Sequence, residues 1–264
     1  MKAEVLRLKH YKGYLVDLDG TMYKGNQVIE GAAEFIQSLN KHDIPYLFLT
    51  NNSSKTQVDV ATHLNSMGIE TTPDRVFTTS MAAAKYVKSK KANARCYVIG
   101  EDGLIDAIEK ENMTITDQNC DFVVFGIDRN ITYEKYAKAC LAIRDGATFI
   151  STNSDIAIPT ERGLLPGNGA LTSVITTSTN QEPIFIGKPE SIIMNEAMAV
   201  LGTRAEDTIM VGDNYQTDIQ AGIQAGIDTL MVFTGVTPFD AYPSLSIKPT
   251  QYVHNLKEWI PFIK

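Results

Sequence analysis

Asp17 and Asp19 stand two apart in residues 13–19 (GYLVDLD), with Leu18 between them. On an extended chain this spacing points both carboxylates to one side. Two like charges so close repel unless a cation holds them, and Mg²⁺ suits the pair because it takes hard oxygen ligands from one or two carboxylates, a phosphate and water. Later residues add what a moving PO₃ unit needs, namely positioning and charge neutralisation. Thr50 closes the run YLFLT and offers a hydroxyl, and Asn51 adds neutral donors through its amides and side chain. Lys188, before Pro189, brings a compact positive charge. Asp213, after Gly212, supplies another hard oxygen, and Asp218 either orients that site or favours a helix N-terminus.

Each of these residues also has a plain structural reading. Asp17 and Asp19 could be solvated acids in a loop, Thr50 a helix cap, Lys188 a surface lysine and Asp213 a turn former. Their joint occurrence, in this order and each at a strand end, argues for a single site.

The elements that must position them alternate. Strands are predicted at 13–19, 46–49 and 75–77, with helices over 31–40 and near 55–67, and another beginning near Ser80, whose hydroxyl can cap it. A middle stretch places strands at 96–99, 122–125 and 148–151 around helices at 103–111 and 133–144. A Gly/Pro-rich loop and a helix over 170–179 follow. The third stretch returns to the opening style, with strands at 184–186, 208–211 and 229–233 and helices at 191–201, 217–225 and 256–262. Such βαβ repetition predicts an α/β fold with a doubly wound parallel sheet covered on both faces. Polar motifs end strands sharply in the first and third stretches only, so the core is expected from both ends of the chain and the middle as an inserted domain. Ligands bind at the carboxyl ends of such strands.

The chain has 264 residues, 44% hydrophobic and 21% charged, which fits one large domain or two unequal ones. A net charge of −7 disfavours nucleic acid as a partner. Residues 1–12 are polar and no stretch of about 18 apolar residues occurs, so no membrane association and a cytoplasmic location are expected. Cys96, Cys120 and Cys140 are widely spaced without a Cys-x-x-Cys pair and are expected to be buried structural thiols.

The motifs DLDGT, LTNNS, GKP and GDNYQTD resemble those of the haloacid dehalogenase (HAD) superfamily, and their spacing resembles its NagD-like phosphatases. The resemblance implies a Rossmann-like core, 1–82 and 184–264, and an inserted α/β cap, 83–183, that chooses the leaving group. It implies that Asp17 attacks phosphorus to form an aspartyl-phosphate while Asp19 protonates the leaving oxygen and later activates water. Asp17, the backbone carbonyl of Asp19 and Asp213 would hold Mg²⁺, and Thr50, Asn51 and Lys188 the phosphoryl group, with Asn214 near the metal's edge. The stretch from Ser151 through Asp155 and Pro159 to Gly169 resembles the cap's characteristic loop.

The expected activity is hydrolysis of small phosphomonoesters such as sugar phosphates, nucleotides or, in vitro, nitrophenyl phosphate. Asp19 favours phosphate chemistry over dehalogenation and also argues against a receiver-type phosphoacceptor domain. A phosphomutase on the same core is the closer alternative, disfavoured because a turn and one helix fill the space between Asp17 and Thr50. The apolar cap strands offer an edge for a second copy of the chain.

Overall fold

The apolar runs that end in polar motifs form the middle of a six-stranded sheet in the computed structural model, which describes residues 9–160 and 162–264. Most of the polar opening stretch 1–12 lies outside the described residues. Across the sheet the strands run Gln251–Val253, Asp228–Val232, Thr208–Gly212, Gly13–Val16, Tyr46–Thr50 and Val76–Thr78. Pairing is parallel from Gln251–Val253 through Tyr46–Thr50, with Val16 opposite both Val211 and Phe48. Every residue of GYLV, YLFLT and TIMVG is buried, as parallel strands covered on both faces require. Strand order reverses between Gly13–Val16 and Thr208–Gly212, so the sheet is doubly wound with its switch point there.

Contacts divide the chain into two compact units. The first comprises Met1–Phe48, Leu64–Thr71 and Met198–Lys264. Its helix Ala32–Lys41 buries Ala32, Phe35, Ile36 and Leu39, one stripe at helical spacing. Tyr14 meets Phe35 edge-on at 5.8 Å between ring centroids, and the Trp259 indole N–H donates to the Tyr14 hydroxyl at 3.2 Å.

The second unit comprises Leu49–His63 and Thr72–Ala197. Within it a parallel five-stranded sheet runs Ile184–Phe185, Thr148–Ser151, Phe122–Phe125, Arg95–Ile99, Thr114–Ile115. Helices Tyr133–Arg144 and Asn168–Thr179 close its core through Ala139, Ile143 and Ile175. Residues 53–54 join this unit through hydrogen bonds. The Ser53 hydroxyl accepts Ile127 N–H at 3.1 Å, and the Ser54 carbonyl accepts Gly103 N–H at 3.1 Å.

Several elements differ from those expected. Ile184 and Phe185 pair with Thr148–Ser151, so the five-stranded sheet extends past residue 183, since a parallel partner was open at that edge. Part of the Gly/Pro-rich stretch is a hairpin of Ala157–Thr160 with Gly163–Pro166, which Gly163 closes at φ 109°, a conformation glycine permits. The helix expected over 217–225 starts as a π-type turn, Tyr215–Ile219, before Gln220–Gln224. The terminal helix is two 3₁₀ segments, Leu256–Glu258 and Ile260–Phe262, because Pro261 has no N–H to continue an α-helical ladder.

Cys96 and Cys140 are buried and Cys120 is half-buried, all as free thiols. Burial pushes the Cys96 thiol up to about 12, which keeps it protonated. Among the described residues no helix is long and apolar enough to cross a membrane.

Candidate active site

The switch point of the first sheet carries the acids. Asp17 continues the strand Gly13–Val16, donating its N–H to the Val211 carbonyl at 2.9 Å, and Asp213 follows the neighbouring Thr208–Gly212. Asp17, Asp213 and Asp218 are all buried, and one carboxylate oxygen from each lies within 4.8 Å of the others. Asp218 reaches this group because the turn Tyr215–Ile219 begins directly after Asp213-Asn214 and brings it back.

The surroundings hold these carboxylates in place. The Thr21 hydroxyl stands 3.2 Å from Asp17 Oδ2 and 3.2 Å from Asp213 Oδ1. Val236 N–H donates to Asp213 Oδ2, and Asn214 N–H donates to Asp218 Oδ2 at 3.0 Å. Gly20, at φ 88°, and Gly235 both run so near Asp213 that a Cβ on either would strike its carboxylate, and Gly212 stands in the same relation to Asp218. Three buried carboxylates so close are costly without a positive partner. Hard oxygens in this number fit a small divalent cation.

Asp19 differs from its neighbour at 17. Its side chain is exposed and lies outside the carboxylate group. The buried Tyr23 hydroxyl hydrogen-bonds it, and burial first, then the charges of Asp19 and Asp17, push the phenol well above its ordinary value. Tyr23 stays a protonated donor there. An exposed carboxylate beside a buried metal-type group can exchange protons with water or a substrate oxygen. Asn214 is engaged in the turn, where its Oδ1 accepts Gln216 N–H at 3.0 Å.

In the second unit, Asn51 and Lys188 meet. The Asn51 carboxamide accepts Lys188 N–H at 2.8 Å and donates to the Lys188 carbonyl at 2.9 Å. Lys188 is buried, with Nζ 3.2 Å from the Leu49 carbonyl. The Thr50 hydroxyl oxygen accepts Asn52 N–H at 3.1 Å, which leaves its O–H to donate elsewhere.

The structure thus gathers Asp17 and Asp213 with Asp218, whose role the sequence left open, in the first unit, and Thr50, Asn51 and Lys188 in the second. Sequence reasoning passed over Thr21, Tyr23, Val236 and Gly235 as site residues. Two signals pointed to them: Thr21 lies within the DLDGT motif and Tyr23 two residues beyond it, and Thr234-Gly235 follows another apolar strand with a hydroxyl and a glycine.

Comparison with known proteins supplies the context for this geometry. The haloacid dehalogenase-like hydrolase family matches residues 14–114, and a HAD-hydrolase-like family matches residues 185–259. The 5'-nucleotidase YutF of Bacillus subtilis is 60% identical over 97% of this chain and 100% of its own length. An acid sugar phosphatase of Staphylococcus haemolyticus is 50% identical over 92% of this chain and 93% of its own. The structure of NagD from E. coli K-12 superposes with a TM-score of 0.89 at 34% identity, covering 95% of this chain and 98% of that one. Motifs, sheet order and relatives agree, and the chain belongs to the haloacid dehalogenase-like hydrolases as one of their NagD-like phosphatases.

Proposed function

We propose that the protein hydrolyses small phosphomonoesters with Mg²⁺, through an aspartyl-phosphate on Asp17. The observation that carries this reading is the buried group of Asp17, Asp213 and Asp218 at the sheet's switch point, with the exposed Asp19 beside it. Asp17, the Asp19 carbonyl and Asp213 would hold the ion, and Asp218 stands close enough to join them or to fix their geometry. Bound there, Mg²⁺ would offset the charge of the carboxylates and of the phosphoryl oxygens.

An Asp17 carboxylate oxygen attacks phosphorus as the bond to the leaving oxygen breaks, and Asp19 gives that oxygen its proton. Asp19, now a carboxylate, takes a proton from water as that water attacks phosphorus. The Asp17–phosphorus bond breaks, phosphate leaves and both residues return to their starting states. The Thr50 hydroxyl, the Asn51 main-chain N–H and the Lys188 ammonium hold the phosphoryl oxygens.

In this reading residues 1–82 and 184–264 are the catalytic core and 83–183 a cap that selects the leaving group. The 60% identical relative is called a 5'-nucleotidase and the 50% identical one an acid sugar phosphatase, so nucleoside monophosphates and sugar phosphates are the first substrates to compare. The test is a kinetic screen of phosphomonoesters with Mg²⁺, followed by denaturing mass spectrometry of rapidly quenched enzyme. Phosphate on Asp17 is expected. Turnover by Asp17→Asn at the wild-type rate would end the mechanism.

A further inference from the structure

A carboxamide that grips a phosphate needs a free N–H, and Asn51 has none to spare. One Nδ2 hydrogen serves the Lys188 carbonyl at 2.9 Å, and the other faces the Asp155 carboxylate, whose oxygens lie 3.3 and 3.4 Å away. Oδ1 is occupied by Lys188 N–H at 2.8 Å. This side chain therefore holds both backbone groups of one residue, and that residue carries the buried ammonium. Gly187 makes the approach possible, because a Cβ there would come within 2.6 Å of Asn51 Oδ1.

The clamp is in turn held by the loop after Thr148–Ser151. Asn153 Nδ2 donates to the Asn51 carbonyl at 2.8 Å, and Asn153 Oδ1 accepts Asp155 N–H at 3.1 Å. Gly167 and Gly169 press against the carbonyls of Asp155 and Ser154, and no Cβ would fit at either. The loop that presents Asp155 is thus closely packed, and hydrogen bonds tie it to Asn51 and through Asn51 to Lys188.

We propose that the Asn51 side chain is a positioning residue for Lys188 rather than a phosphate ligand, and that Asp155 orients it, linking this loop to the lysine. The inference rests on Lys188 holding the phosphoryl group. The loop leads into the hairpin Ala157–Thr160 and Gly163–Pro166.

The experiment measures the inhibition constant of inorganic phosphate and kcat/KM on the Mg²⁺-loaded enzyme, with thermal melts as the folding control. Lys188→Ala is expected to weaken phosphate inhibition, and Asn51→Ala to do so about 10-fold, the scale of losing the neutral hydrogen bonds that position the lysine. In the Lys188→Ala background, Asn51→Ala should add less than about 2-fold, because the two residues act as a unit. Equal losses in both backgrounds would overturn the inference, since Asn51 would then bind phosphate independently.

Asp155→Ala should weaken inhibition about 3-fold, and Asp155→Asn, whose carbonyl oxygen still accepts from Asn51, should restore it. Identical constants for these two variants would also overturn it, and this pair decides the matter if Asn51→Ala does not fold. An unchanged constant in Lys188→Ala would instead overturn the underlying reading of Lys188.

Discussion

Asp17, Asp213 and Asp218 are held by backbone amides, one hydroxyl and closely approaching glycines, whereas Lys188 is held by a side-chain carboxamide bonded to both of its backbone groups. The first cluster concentrates negative charge and calls for a cation. The second places one buried ammonium by means of a neutral carboxamide that Asp155 orients in turn. In the proposed mechanism attack and grip are therefore supported separately, so changes in one cluster should alter metal dependence and changes in the other phosphate affinity.

The strongest way to break that comparison is to remove the nucleophile or the ion. Asp17→Asn should fold, with a melting temperature no lower than wild type, yet lose on the order of 10⁴- to 10⁶-fold in kcat, as removing a nucleophile does elsewhere. Chelation should silence turnover, with Mg²⁺ restoring it and Ca²⁺ doing so poorly, because Ca²⁺ takes longer and looser coordination. Full activity in chelator would refute the cation reading of the first cluster.

Asp19→Asn should cost about 10²- to 10⁴-fold with alkyl phosphates and less with nitrophenyl phosphate, whose leaving oxygen needs no proton. A loss independent of leaving group would remove Asp19 from the acid role. Thr21→Val sharpens the contrast between the clusters. It should raise the Mg²⁺ concentration for half-maximal rate about 10-fold while leaving phosphate inhibition unchanged, since Thr21 supports the carboxylates alone. Metal titrations that do not shift would show that the hydroxyl is incidental. The smallest effect on chemistry is expected from Phe35→Ala, which should lower stability by about 3–5 kcal/mol in urea unfolding while kcat stays near wild type.

The alternation of strands and helices was legible because buried parallel strands need continuous apolar runs and their ends stand out where polar motifs begin. GYLV, YLFLT and TIMVG are such runs, and the residues at and just after their ends are the candidate site. The short strands Thr114–Ile115 and Gln251–Val253 were missed because they lie at sheet edges and are largely exposed, so no buried apolar run marks them. The hairpin at 157–166 was hidden behind glycines and prolines that read as loop.

From the sequence alone came the candidates for the chemistry, because the proposed nucleophile, proton carrier, metal oxygens and fixed cation need particular functional groups, and each stands at a chain position that periodicity marks as a strand end. Only the tertiary structure decided how they are held. Asp218 joins the carboxylates through a π-type turn, Tyr23 steadies Asp19, and Asn51 turns its carboxamide to Lys188. Hydrogen bonds between residues as distant along the chain as Asn51 and Lys188 depend on distance and angle in space, and these leave no local pattern in the order of amino acids.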